Sequence, residues 1–223
     1  MEKYAIITAG GIGKRMSSDL PKQFLELQKK PILMHSIERF YQYTKDIKII
    51  VSLPEQYIDY WKHLCNEKNF KIQHKIVKGG KTRFFSIKNA LDVIEGSGIV
   101  AIHDGVRPLV SCETIKRTFE KAQKKGNAVA SQDIFFSIRK IDKKKNYAED
   151  RSIYKEIQTP QTFRIDLIKQ AYKLKYEESF TDDASVLERM GESINLVEGN
   201  RENIKITAKE DLLLAEVLLD RIF

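Results

Sequence analysis

The chain has 223 residues, 42% hydrophobic and 31% charged, the proportions of a soluble globular protein rather than a disordered one. Thirty-nine basic against 31 acidic side chains leave a formal charge of +8, which suits phosphorylated ligands, nucleic acid or an acidic membrane surface. Two cysteines, Cys65 and Cys112, without metal-ligand spacing exclude a disulfide framework, and no apolar run approaches the ~20 residues of a membrane helix.

Met1-Glu2-Lys3-Tyr4 leads straight into a strand-like run, Tyr4–Ala9, ending at Gly10-Gly11. That start is expected of a cytoplasmic chain without a signal peptide. Pro31–Tyr43 reads as a helix with Ile32, Leu33, Ile37 and Phe40 on one face. A strand at Ile47–Leu53, a helix at Pro54–Glu67 and a strand at Lys71–Val77 follow, then Gly79-Gly80. Next come a helix at Thr82–Ile94, an apolar strand at Gly98–Ile102 ending at His103-Asp104, a helix at Cys112–Lys125 and a strand at Ala128–Ser131. The alternation predicts an α/β, Rossmann-like, open and mostly parallel sheet with helices on both faces.

The stretch from Phe135 to Gln158 is polar, lysine-rich and weakly alternating. It is too long for an ordinary connection and predicts a protruding β-arm. Helices at Ile165–Glu177 and Asp182–Met190, strands at Ile194–Glu198 and Asn203–Ile206, and a last helix at Lys209–Arg221 complete the reading. With no internal repeat, residues 1–223 read as one domain carrying an arm at about 135–158.

Ligands of such sheets bind beyond the carboxyl ends of the strands. Thr8-Ala9-Gly10-Gly11-Ile12-Gly13-Lys14-Arg15-Met16 can bring backbone N–H groups against a phosphate chain. It is neither a Walker loop, which would place Lys-Ser/Thr after its last glycine, nor a dinucleotide fingerprint, because Met16 stands where Gly or Ala is needed. Lys22, in Pro21-Lys22-Gln23-Phe24, adds positive charge nearby.

Ala9-Gly10-Gly11-x-Gly13-x-Arg15-Met16 with Pro21-Lys22-Gln23-Phe24 resembles the signature of the 2-C-methyl-D-erythritol 4-phosphate cytidylyltransferases of the isoprenoid pathway. Further matching segments follow in order: Gly79-Gly80-x-x-Arg83-x-x-Ser86, Ile102–Pro108, Thr159–Phe163, Thr181–Ser185, Val197-Glu198-Gly199 and Asn203–Thr207. The resemblance spans essentially the whole chain.

It implies that a phosphate oxygen of the polyol substrate attacks the α-phosphorus of CTP and expels pyrophosphate. Arg15, Lys22 and Lys205 would stabilise the transition state. Ala9, Gly10, Gly11, Gly13, Gly80, Arg83 and Ser86 would meet the nucleotide. Asp104, Arg107, Ser137, Arg151, Thr181 and Lys205 would meet the substrate, with Asp104 also beside Mg²⁺ or another divalent cation. The resemblance further implies a homodimer in which the arm, with Arg151, reaches the partner's site.

Alternatives attach to several residues. His103 and Arg107 can be structural, Thr82 can simply cap its helix, and Arg151 can be an exposed arm residue. The arm departs from the family's Lys-Asp-Thr-Ile-Lys run: Phe135-Phe136-Ser137-Ile138-Arg139 stands there. Ser137 keeps a hydroxyl donor, while the apolar pair suits a dimer contact. A ribitol-5-phosphate or other polyol-phosphate cytidylyltransferase is the neighbouring alternative. A basic nucleic-acid-binding protein is the alternative from another class, but no basic stripe with interleaved aromatics supports it.

Overall fold

The computed structural model describes residues 1–11 and 20–222. Strand β1 (Lys3–Thr8) is followed by a two-residue ribbon, β2 (Glu26–Leu27) and β3 (Lys30–Pro31), and by α1 (Ile32–Tyr43). Then come β4 (Lys48–Leu53), α2 (Ile58–Glu67), β5 (Lys75–Lys78), α3 (Arg83–Asp92), β6 (Ile99–Asp104), α4 (Cys112–Lys125) and β7 (Asn127–Asp133). The arm hairpin is β8 (Ile138–Asp142) and β9 (Lys145–Glu149). The chain ends with β10 (Lys155–Arg164), α5 (Ile165–Ala171), α6 (Asp183–Glu188), β11 (Leu196–Glu198) and α7 (Lys209–Ile222).

The central sheet has the order β11-β7-β10-β6-β1-β4-β5. All its pairings are parallel except those of β10, which runs antiparallel to both β6 and β7. The period-two geometry of β1 divides its side chains between two cores. Ala5 and Ile7 pack with Leu33, Phe40, Trp61 and Phe119 of α1, α2 and α4. Tyr4 and Ile6 pack with Phe84, Ile87, Ile168 and Leu187 of α3, α5 and α6. The expected sheet with helices on both faces is therefore present.

Local chemistry sets the element ends. Helix α4 starts where the Ser111 hydroxyl accepts from the Thr114 N–H and stops at Gly126, whose φ of 90° is left-handed. A third apolar cluster docks α7 through Ala215 and Leu219 on Leu27, Ile32, Val106, Leu109 and Ile206. That contact fixes the segment carrying Lys205.

Several expectations need correction. The arm is shorter than expected: its hairpin spans 138–149, and Lys155–Gln158 already belong to β10. Asn203–Ile206 is not a strand. It is a loop tied by the Ile206 N–H to the Val106 carbonyl at 2.9 Å. The strand expected from Lys71 starts at Lys75, and the helix expected to reach Glu177 stops at Ala171.

Candidate active site

β1 and β6 are adjacent and parallel, with Thr8 level with Asp104, so the loops that leave them open on one edge of the sheet. A cleft of about 290 Å³ lies there. Thr8–Gly11, Lys22, Gln23, Gly80–Arg83, Ser86, Asp104, Val106 and Lys205 line it.

The first loop is held from two sides. The Ala9 N–H donates to the Ser52 carbonyl at 2.9 Å, and the buried Gln23 amide donates to the Ala9 carbonyl at 2.7 Å. Gln23 sits in a 3-10 turn, Lys22–Phe24, so the same turn that clamps the loop presents Lys22 to it. A Cβ added to Gly11 would lie 3.8 Å from Lys22 Cε. Gly13 and Arg15 lie outside the described residues.

The opposite wall is the start of α3. The Ser86 hydroxyl accepts from the Gly80 N–H at 3.0 Å and donates to the Thr82 carbonyl at 2.9 Å, fastening the glycine turn to the helix. Gly80 has to be glycine: a Cβ there would stand 2.3 Å from Phe85 Cβ and 2.8 Å from the Phe85 carbonyl carbon. Thr82 occupies the N-cap without a side-chain cap bond.

Asp104 forms the floor. Lys205 Nζ lies 2.9 Å from one carboxylate oxygen, and the Nε atoms of Arg83 and Arg107 each approach to 3.6 Å. Burial opposes the negative charge, but Arg83, Lys205 and Arg107 outweigh it and hold the carboxyl well below its usual range. The Arg83 side chain is about a third exposed at the cleft wall, and the carboxylates of Asp183 and Asp104 raise its pKa against the desolvation of its inner side. Its two terminal nitrogens are both engaged by Asp183, at 2.9 and 2.6 Å.

A relay fixes the turn that carries Asp104. The Asp104 N–H donates to Thr159 Oγ1 at 3.1 Å, and that hydroxyl lies 3.0 Å from His103 Nδ1. His103 Nε2 lies 3.0 Å from the Arg107 carbonyl. A carbonyl only accepts, so Nε2 carries the proton and Nδ1 accepts from Thr159. Burial lowers the His103 pKa to about 4, against the opposing pull of the Arg107 carbonyl. His103 thus holds the backbone of the turn as a neutral ring.

Lys205 is placed by its neighbours. Asn203, fully buried, donates to Gln158 Oε1 at 3.1 Å and to the Thr159 carbonyl at 2.8 Å, while Ile206 is fixed under α7.

The residues expected at the site divide cleanly. Ala9, Gly10, Gly11, Lys22, Gly80, Arg83, Ser86, Asp104 and Lys205 surround one cleft. Arg107 lies to the side of the lining, buried, with its guanidinium donating to the Asn203 carbonyl at 2.7 Å. Thr181, Ser137 and Arg151 are exposed and do not line the cleft. Arg151 donates to the Phe135 carbonyl of its own arm. Lys81, Gln23 and Asn203 were not singled out by sequence reasoning. Lys81 had only its place between Gly80 and Arg83 as a signal, while Gln23 and Asn203 stood inside quoted motifs.

A profile of the 2-C-methyl-D-erythritol 4-phosphate cytidylyltransferases matches residues 4–221. The chain belongs to this family. It is therefore a cytidylyltransferase, a nucleotidyltransferase of isoprenoid biosynthesis. Among proteins of that name, one from Phocaeicola vulgatus is 47% identical over 219 residues, covering 98% of this chain and all of the relative. One from Clostridium botulinum is 40% identical over 221 residues, covering 97% and 99%. The crystal structure of a 4-diphosphocytidyl-2C-methyl-D-erythritol synthase from Anaerococcus prevotii superposes with a TM-score of 0.84 at 27% identity, covering 99% of each chain. No helix among the described residues is long and apolar enough to cross a membrane.

Proposed function

We propose that this cleft joins the cytidylyl group of CTP to 2-C-methyl-D-erythritol 4-phosphate, forming 4-diphosphocytidyl-2-C-methyl-D-erythritol and pyrophosphate. The observation that carries the site assignment is the single cleft in which a glycine-rich loop, Lys22, Lys205 and the ionised Asp104 converge. A phosphate oxygen of the polyol attacks the α-phosphorus in line with the departing pyrophosphate. Backbone N–H groups of the loop at Gly10 and Gly11 face the triphosphate. Lys22 and Lys205 neutralise the charge that builds on the phosphorus oxygens, and Arg15 is assigned the same task by the family motif.

Asp104 is one carboxylate, and no group of three or more His, Cys, Asp or Glu among the described residues could cage a metal. Magnesium commonly binds one or two carboxylates together with substrate phosphates and water, so Asp104 fits as its protein ligand. When bound, the ion would draw negative charge from the phosphate oxygens. Lys205 would then exchange Asp104 for a substrate phosphate.

The homodimer is proposed from the arm. Phe136 is 82% exposed and Ile153 73% exposed, apolar surface that a second copy would cover. Ser137 and Arg151 would meet substrate in the partner's cleft, and Thr181 would join the phosphate site on substrate binding. The two free cysteines, Cys65 and Cys112, support a reducing compartment and hence the cytoplasm.

Pyrophosphate release from CTP and Mg²⁺, with 2-C-methyl-D-erythritol 4-phosphate and ribitol 5-phosphate in parallel, tests the reaction. Release with the first alone is expected, and release with the second alone would move the protein to polyol-nucleotide synthesis. Lys22→Ala is expected to lose most of kcat while CTP binds within a few-fold, and near-normal turnover would remove its transition-state role. Mixing inactive Lys22→Ala and Arg151→Ala homodimers is expected to restore part of the activity. No restoration after verified subunit exchange would refute the shared site.

A further inference from the structure

Two of the sequence motifs, Thr159–Phe163 and Thr181–Ser185, meet in space and form one constellation behind the cleft. Gln161 lies on β10 opposite Ile102, two residues before Asp104. Its buried amide bridges the first turn of α6: Nε2 donates to Asp182 Oδ2 at 2.7 Å, and Oε1 accepts from the Ala184 N–H at 2.8 Å. Asp182 meanwhile caps the helix by accepting from the Ser185 N–H at 2.9 Å. The residue between the two pinned positions is Asp183.

Asp183 has no exposed surface. Its oxygens accept both terminal nitrogens of Arg83, and Oδ1 also accepts from the Tyr172 hydroxyl at 2.6 Å. A buried carboxylate so completely engaged cannot touch substrate. It can decide where the Arg83 guanidinium sits, because a bidentate pair fixes the plane as well as the distance. With its terminal nitrogens held, Arg83 turns only its Nε edge toward Asp104, at 3.6 Å. Without Asp183, that guanidinium would be free to close on Asp104 with its terminal nitrogens and compete there with Lys205.

We infer, granted the cytidylyl-transfer activity, that Asp183 is a positioning residue of the site, seated by Gln161 and Tyr172 to keep Arg83 at its 3.6 Å Nε approach to Asp104 and out of a closer pair through its terminal nitrogens. Asp104 Oδ2, which Arg107 Nε approaches only to 3.6 Å, then stays within reach of Lys205, while Oδ1 meets Arg83 by its Nε edge alone. The role belongs to α6 and β10 together, which explains why these two segments accompany the cleft motifs although neither lines it.

The test is a double-mutant cycle in kcat on the full-length chain, with melting temperature measured for every variant. Asp183→Asn keeps the shape and removes the charge. It is expected to lower kcat about 10- to 100-fold, in the range of a lost outer partner, with KM for CTP changed less than about threefold. Adding Asp183→Asn to Arg83→Gln is expected to change kcat by no more than about twofold, because the arginine through which it acts is already gone. Losses that multiply independently would overturn the inference, as would wild-type kcat in folded Asp183→Asn.

Tyr172→Phe covers the case in which Asp183→Asn does not fold. It removes one hydrogen bond from Asp183 and is expected to lower kcat about 2- to 10-fold in the Arg83 background but not in Arg83→Gln. Unchanged kcat in Tyr172→Phe would refute the positioning role. A wild-type enzyme silent with both polyol phosphates would instead refute the proposed reaction, so the two failures are distinct.

Discussion

Acidification should weaken this protein through His103 well before its carboxylates protonate. The ring is fully buried, with Nδ1 accepting from Thr159 and Nε2 donating to the Arg107 carbonyl. Protonation would place a second N–H against the Thr159 hydroxyl and a charge in the core. Its pKa falls from 6.5 to about 4 on folding. Between those values the unfolded chain takes up a proton that the folded chain refuses, so stability is full above pH 6.5 and drains as pH falls. A gap of about 2.5 pH units corresponds to about 3 kcal/mol, with about 2 kcal/mol already lost at pH 5.

Burial also lowers the pKa values of His35 and His74, so they add in the same direction. Urea unfolding followed from about pH 7.5 to pH 5 reads the loss as a falling midpoint. His103→Gln, less stable at neutral pH, should show a shallower slope than the parent. A parent whose stability is flat to pH 5, or a variant with an undiminished slope, would refute the account of the buried neutral ring.

Gly80→Ala should displace the start of α3, because the added methyl meets Phe85 backbone as well as its side chain. Activity should fall at least tenfold, with weakened CTP binding visible by calorimetry. Lys205→Met should lower kcat/KM about 10²- to 10³-fold, the scale of one lost charge stabiliser, while stability moves by no more than about 1 kcal/mol because the lysine is partly exposed. Steady-state kinetics and thermal melting separate those two effects.

What could be read from the chain was local. Helix α4 was legible to the residue because Ser111 and Gly126 mark its ends chemically. Strands β1, β4 and β6 were legible as short apolar runs, whereas the start of β5 was not. Strand β10 was not, because Gln158, Thr159, Gln161 and Thr162 are polar residues buried in the middle of a sheet. The partners that make Gln158, Thr159 and Gln161 tolerable there lie far along the chain, at Asn203, Asp104, His103 and Asp182. The alternation of Ile204 and Ile206 imitated a strand because it follows a docking groove under α7 rather than a ladder.

The site divided along the same line. Lys22 stood out beside a glycine-rich loop and Asp104 at the end of an apolar strand, while Lys205 came from the family resemblance alone. Gln23 and Asp183 did not stand out, since their work is to hold another residue and only the tertiary pairing discloses which. Arg107 carried two readings, and its buried bond to Asn203 gives it a role in anchoring the Lys205 loop.

The register of β7 against β10 has an architectural consequence. Asp133 faces Lys155 across the ladder, and their side chains are paired. The segment 134–154 therefore leaves and re-enters the sheet at adjoining points, as a detachable module closed at its neck. Evolution or a protein engineer can lengthen, shorten or exchange that module without severing any strand of the nucleotide cleft. Assembly surface can thus be remodelled around Ser137 and Arg151 while the segments that carry Lys22, Asp104 and Lys205 stay untouched.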